Sequence, residues 1–182
     1  MQSVLFDTAI GRCGLAWGEH GIVAASLPDR SDAALRTRLR EMAPEAVEVA
    51  PDAPSVPQEI RTAIERVTAL LDGADDDLGD IALDMDCVAE FNRRVYAVAR
   101  AVPPGATTTY GAIADELRAE RGAARGVGQA LGANPFAPIV PCHRVTAAGG
   151  RTGGFSAPGG VETKLRMLEI ERVHARGVPT LF

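Results

Sequence analysis

The chain has 182 residues, 46% hydrophobic and 24% charged, with a net charge of −5. That is the profile of an ordinary globular protein with room for one domain or two small ones. No apolar run is long enough to cross a bilayer, and Met1-Gln2-Ser3-Val4-Leu5-Phe6-Asp7 lacks the pattern of a signal peptide, so a cytoplasmic, membrane-free protein is expected. The charge is divided between the halves: residues 1–90 hold 7 Arg against 18 acidic residues, and residues 91–182 hold 11 Arg and one Lys against 6. This suggests an acidic scaffold joined to a basic module able to face phosphates.

Residues 3–27 read as short strands, Val4–Phe6, Gly14–Trp17 and Gly21–Leu27, separated by turn formers such as Gly11 and Gly18. Ser31 reads as the N-cap of a helix over Asp32–Met42, with Leu35 and Leu39 on one face. The Pro-rich Val47–Pro57 is expected to be a loop. Pro57 opens a second helix with Ile60, Ile64, Val67 and Leu71 on one stripe, and Ile81–Met85 suggests one more strand. A helix over Ala89–Val102 follows, with Phe91, Val95, Val98 and Val102 at helical spacing before Pro103-Pro104-Gly105. Short helices over Tyr110–Arg118 and Ala123–Ala133 are compatible with a helix-turn-helix or with an ordinary helical hairpin. A Gly-rich irregular stretch runs from Pro135 to Gly160. Val161–Arg172 reads as a last amphipathic helix with Leu165, Leu168 and Val173 inward. The expected architecture is an α/β domain over 1–85, a small antiparallel sheet with flanking helices, packed on a mainly helical domain over 86–182.

Chemistry concentrates at Ile139-Val140-Pro141-Cys142-His143-Arg144-Val145. A thiolate is the nucleophilic form of cysteine, and a free thiol is mostly protonated at neutral pH, so it needs a base or a cation nearby. His143 and Arg144 follow at once, but in an extended segment Cys142 and His143 face opposite sides, which makes a bridging water the natural link. Adjacency alone fits either a nucleophile or a buried structural thiol beside a satisfied histidine. Turn formers at Asn134-Pro135 and Pro141 favour a nucleophile fixed on a rigid loop. Cys13 and Cys87 lack such a setting. Three widely spaced cysteines do not suggest a disulfide framework, and a zinc site built on Cys13 and His20 lacks obvious further ligands.

Pro141-Cys142-His143-Arg144-Val145 resembles the active-site signature of the O(6)-alkylguanine-DNA alkyltransferases, the methylated-DNA–protein-cysteine methyltransferases. Further motifs follow in that family's order. Phe91 begins the helix that opens its DNA-binding domain. Pro104-Gly105 through Thr109-Tyr110 resembles the turn ending in a functional Tyr, and Ala123-Ala124-Arg125-Gly126-Val127-Gly128 the recognition helix. Asn134-Pro135 precedes the Cys. Gly153-Gly154-Phe155-Ser156 with Gly159-Gly160 resembles the substrate loop, and Glu171 the acidic partner. The resemblance covers roughly residues 91–172, and several ordered motifs are far more specific than any one.

What the resemblance implies is DNA repair by a suicide methyltransferase. Cys142 attacks the alkyl carbon on O(6) of guanine, with O(4) of thymine a second candidate, and keeps the alkyl group in a single turnover. His143 draws off the thiol proton through water, Glu171 orients the imidazole, Asn134 supports the loop, and Tyr110 donates towards the guanine ring. The Val145 carbonyl, Phe155, Ser156 and Lys164 bind the base. Arg125, Ala124, Gly128 and Arg144 face DNA in the minor groove, with Arg125 filling the stack vacated by the flipped base. No metal or organic cofactor is implied. The partner is double-stranded DNA carrying alkylated guanine, met by a monomer. Without the resemblance, Tyr110 reads equally as a half-buried aromatic, Lys164 as a surface lysine and Arg125 as a helix-surface arginine.

Two departures concern the pocket: Phe155 stands where Tyr is usual, and Ala157-Pro158 inserts two residues before Gly159-Gly160. Cys142 itself separates the chain from lesion-binding relatives without the nucleophile, although a lesion-binding or signalling role with little transfer is the alternative. A thiol hydrolase with a Cys-His-Glu triad would need an oxyanion hole that no motif supplies.

Overall fold

Alternation along the first strands puts Val4, Phe6, Cys13, Leu15 and Trp17 on one side, where they are buried. The computed structural model describes residues 1–120 and 122–171. Strands β1 (Gln2–Thr8), β2 (Gly11–Gly18) and β3 (Gly21–Ser26) form an antiparallel meander. Helix α1 (Asp32–Met42) covers one face through Leu39, with Ala43 just beyond it, against Ala16 and Ala24. Ser31 caps it as expected, accepting from the Ala34 N–H at 3.2 Å. The other face joins the main core with α2 (Gln58–Leu71), whose Ile60, Val67 and Leu71 are buried.

The sheet departs from the expected antiparallel form. Val47–Glu48, inside the segment read as a loop, is a fourth strand, β4, parallel to β1, so the sheet is mixed, in the order β3-β2-β1-β4. Two residues are too few to show a period. Ile81–Met85 is not a full strand: it touches β3 through one bridge, with Ile22 N–H donating to the Ala82 carbonyl (3.0 Å) and Asp84 N–H to the Ile22 carbonyl (2.8 Å). The rest of β3's outer edge is taken by the loop before Cys142, where Ala25 N–H donates to the Pro135 carbonyl at 2.7 Å.

In the second half α3 (Glu90–Arg100), α4 (Tyr110–Glu116) and α5 (Ala124–Gly132) pack on one another. Tyr96 and Ala99, outside the stripe read from sequence, are buried with Val95, whereas Phe91 and Val98 are half-buried. Helix α3 ends two residues before Val102, ahead of the prolines, and α4 stops short of Arg118, which takes a left-handed φ of 51°. The last helix, α6 (Gly160–Ile170), buries Met167 and Leu168, while Leu165 is half-buried; Val173 and Arg172 lie outside the described residues. The element most readily missed is a pair of two-residue parallel strands, β5 (Thr108–Thr109) and β6 (Val145–Thr146).

One buried core runs from Val4 to Met167 across residue 85. The joint is tightened by α3, whose Arg100 donates to the carbonyls of Leu78, Gly79 and Ile81 at 2.8–3.0 Å. Among the described residues no helix is long and apolar enough to cross a membrane.

Tyr96 bolts α3 to α5: its hydroxyl donates to the Ala130 carbonyl at 2.9 Å, and the residue is 1% exposed. Tyr96→Phe is expected to cost about 1 kcal/mol, the usual worth of such a bond, read from the urea midpoint at unchanged slope.

Candidate active site

The pairing of β5 with β6 builds the site. Thr108 lies opposite Val145 and Thr109 opposite Thr146, and the Thr146 hydroxyl donates to the Thr108 carbonyl at 3.0 Å. Tyr110 follows β5 directly, as the first residue of α4, with Thr109 as the N-cap accepting from Ala112 N–H at 3.1 Å. Cys142 precedes β6. Two distant segments thus deliver the phenol and the thiol to one open cleft of about 790 Å³.

Cys142–Arg144 is not extended, as the sequence reading supposes, but a 3₁₀ turn following Pro141. Successive side chains still diverge. Cys142, 8% exposed, lines the cleft, while His143 at 0% and Arg144 at 1% point into the protein. The loop is pinned by Asn134, whose Nδ2 donates to the Val140 carbonyl (2.9 Å) while its Oδ1 accepts from Phe136 N–H (2.9 Å).

Behind the thiol sits a buried ionic group. Glu171 closes α6, and its Oε1 lies 2.8 Å from His143 Nε2 and 2.8 Å from an Arg144 guanidinium nitrogen. Arg144 Nε donates to both carboxylate oxygens, at 3.0 and 3.2 Å, and its remaining nitrogen donates to the Val102 carbonyl at 2.7 Å. Burial alone would raise the Glu171 carboxyl, but hydrogen bonds and charge from His143 and Arg144 overcome it and hold the group at about 2. An ionised carboxylate only accepts, so His143 Nε2 carries the proton and Nδ1 keeps the lone pair. Nδ1 is buried and has no hydrogen-bond partner among the described residues. Burial pushes the imidazole below its ordinary value, against the pull of Glu171.

This corrects the placement of Arg144 on the DNA surface: its guanidinium is spent on Glu171 and Val102 inside the protein. Nor is Lys164 a surface lysine. It is 0% exposed, its Nζ donates to the Val145 carbonyl at 2.6 Å, and it lies 5.9 Å from the ring centre of Tyr110 and 6.0 Å from that of Phe155. Burial lowers it to about 8. Burial pushes the Cys142 thiol up, opposed by Asn134 and by the charge of Lys164. The Tyr110 phenol is likewise raised by burial and stays protonated at neutral pH; its hydroxyl donates to the Gly154 carbonyl at 3.3 Å. Gly153, at φ 72°, lies so close to the Tyr110 ring that a Cβ would come within 2.9 Å of it, so the loop can lie flat there only with glycine.

Helix α5 forms the opposite wall. Ala124, Arg125 and Gly128 line the cleft, and Arg125 is exposed. The small residues divide between two duties: Gly126 packs against Phe91, whereas Gly128 faces Tyr110. Phe155 and Ser156 form the rim from the loop before α6. Gln129, Leu131, Gly132 and Ala133 also line the cleft without having been singled out in the sequence. Gly132 had a signal, since it falls four residues after Gly128, and a Cβ there would come 3.1 Å from the Ser156 hydroxyl. Away from the cleft, Cys13 is buried against Thr8, and exposed His20 gathers with Asp84 and Asp86 rather than with Cys13.

Glu171→Gln leaves the Arg144 cation buried without its counter-charge, and a loss of about 3–5 kcal/mol is expected by chemical denaturation. The folded carboxyl lies at about 2, below its ordinary 4.5. Its contribution is therefore complete above the ordinary value and lost as pH falls towards 2, and the variant should flatten that part of the stability–pH curve.

Known proteins resemble this chain in sequence and in fold. The family described as "6-O-methylguanine DNA methyltransferase, DNA binding domain" matches residues 90–173. The chain is 34% identical over 164 residues to the methylated-DNA–protein-cysteine methyltransferase of Methanothermobacter thermautotrophicus, covering 90% of this chain and 81% of the relative. It is 41% identical over 126 residues to that of Mycolicibacterium paratuberculosis, covering 69% and 73%. The fold resembles Mycobacterium tuberculosis OGT solved in complex with DNA, with TM-score 0.72, 30% identity and coverage of 94% and 93%. The identity to these relatives, over most of both chains, places this chain in the methylated-DNA–protein-cysteine methyltransferase family.

Proposed function

We propose that this chain repairs DNA by direct, irreversible transfer of an alkyl group from O(6) of guanine to Cys142, once per molecule. The observation that carries this is the Cys142 thiol lining an open cleft, with His143 Nε2 held 2.8 Å from Glu171 behind it and His143 Nδ1 without a hydrogen-bond partner among the described residues. No hydrogen bond joins the Cys142 thiol to the His143 ring among the described residues, and we infer that a water carries the thiol proton to Nδ1. The Sγ–C bond then forms as the C–O(6) bond breaks. Tyr110 donates towards the guanine ring as negative charge develops there. Ser156 and Phe155 hold the base. The Val145 carbonyl, already accepting from Lys164, keeps a second lone pair for an exocyclic amine.

A base in a duplex cannot reach this thiol, so the nucleotide must be flipped out. We read α4 and α5 as a helix-turn-helix whose α5 lies in the minor groove, with Arg125 filling the vacated stack and Ala124 and Gly128 allowing close approach. That M. tuberculosis OGT, of similar fold, was solved in complex with DNA supports DNA as the partner. In the same reading residues 1–85 are the scaffold and 86–182 the DNA-binding and transfer domain of a cytoplasmic monomer.

Mixing with an oligonucleotide carrying O(6)-methylguanine should add one methyl group per chain by intact mass, placed on Cys142 by peptide mapping and abolished by Cys142→Ala. Tight binding with unchanged mass would overturn transfer. Tyr110→Phe should slow single-turnover transfer by about 10²-fold, the usual cost of one donor to developing charge.

A further inference from the structure

Arg144 is the buried group that this mechanism leaves unused. It is 1% exposed and, among the described residues, donates to both oxygens of Glu171 and to the Val102 carbonyl beyond the end of α3. Oε1 of Glu171 is shared, with His143 Nε2 on one side and the guanidinium on the other, each at 2.8 Å. The charged and titratable groups facing the imidazole are Cys142 and Arg144 from its own turn and Lys164 and Glu171 from α6. Glu171 is the one anion in that set when the thiol is protonated.

A carboxylate left alone with an imidazole in a dry site favours the imidazolium, because the ion pair is the only way to compensate the buried negative charge. Such a histidine already holds its proton and cannot accept one from a thiol. The guanidinium removes that drive. Its planar fork matches the carboxylate, so it neutralises the charge without displacing His143 from Oε1.

Resting on the transfer reading above, we infer that Arg144 is a positioning residue: by gripping Glu171 it keeps His143 an unprotonated imidazole with its lone pair on Nδ1, ready for the thiol proton. The proton then moves through the water from Cys142 Sγ to Nδ1. The resulting imidazolium shares Glu171 with Arg144, and the thiolate bonds to the alkyl carbon as the C–O(6) bond breaks and guanine leaves. The anchor on Val102 fixes the guanidinium to the end of α3, so its orientation does not depend on the turn it comes from.

The test is the 15N titration of the His143 ring beside the pH dependence of single-turnover methyl transfer. In Arg144→Met the His143 titration and the acid limb of transfer should both move up by about one pH unit or more. The rate lost near neutral pH should return as pH is raised. Arg144→Lys keeps the charge but not the fork; its acid limb should stay close to that of the wild type while transfer slows about tenfold across the range. A folded Arg144→Met with an unmoved His143 titration would overturn the inference, as would a Lys variant whose acid limb moves as far as that of the Met variant. Should Arg144→Met not fold, the double variant Arg144→Met with Glu171→Gln, which removes both charges, is expected to fold; its failure would assign Arg144 to packing alone. The ring titration needs no DNA, so a wild-type protein that transfers no methyl group would sink the transfer reading separately.

Discussion

A carboxylate that is almost completely buried has to be answered by hydrogen bonds and opposite charge, or it does not stay ionised. Glu171 is answered twice, and nearly everything at the site follows. Its demand fixes the histidine tautomer, draws Arg144 off the surface and ties the end of α6 to the 3₁₀ turn that carries the thiol. Because Arg144 also holds the Val102 carbonyl, three chain segments meet at one charge. The turn that carries Cys142 is thus mounted on an ionic joint rather than on hydrophobic packing alone.

The front of the site obeys a different constraint. Burial works against a thiolate, so the groups around Cys142 divide into those that keep water out and those that offset the cost. Lys164 does the second, and the structure gives it an unusual set of neighbours: one carbonyl and the faces of two aromatic rings. The ring of Phe155 serves that arrangement as well as a tyrosine would, so the loss of a hydroxyl at this position leaves the lysine's surroundings intact. The same ring lines the cleft, so one side chain shapes both the electrostatics and the space a base would occupy.

Much of this was legible in the sequence, and the reasons for the gaps are physical. Local signals suffice for the Ser31 cap, most of the α2 stripe, the prolines that stop α3 and the turn formers that bracket the Cys142 loop, although on α2 Ile64 is only partly buried while Ala63 and Leu70 join the core. What escaped were features made by long-range pairing. Strands β4, β5 and β6 have two residues each, too short for any period, yet β5 and β6 bring Tyr110 to Cys142. The burial of Arg144 escaped, and that of Lys164 is invisible without the family resemblance, because long cations normally reach solvent. Only the positions of Glu171 and of the Val145 carbonyl show that these two do not, and those positions are tertiary facts. Gly132 differs, because its spacing from Gly128 was there to be read.

The hydrogen bond from Ala25 to Pro135 gives the reactive loop a second duty. Strand β3 is an apolar edge, with Ile22, Ala24 and Ala25 buried, and such an edge left bare invites pairing with other chains. It is covered by the Ala82–Asp84 segment at one end and by the Asn134–Phe136 loop at the other. Whatever lifts that loop away from the sheet therefore uncovers a strand edge at the same moment. The segment that leads to Cys142 is also the cover of that edge, and it cannot be loosened without baring it.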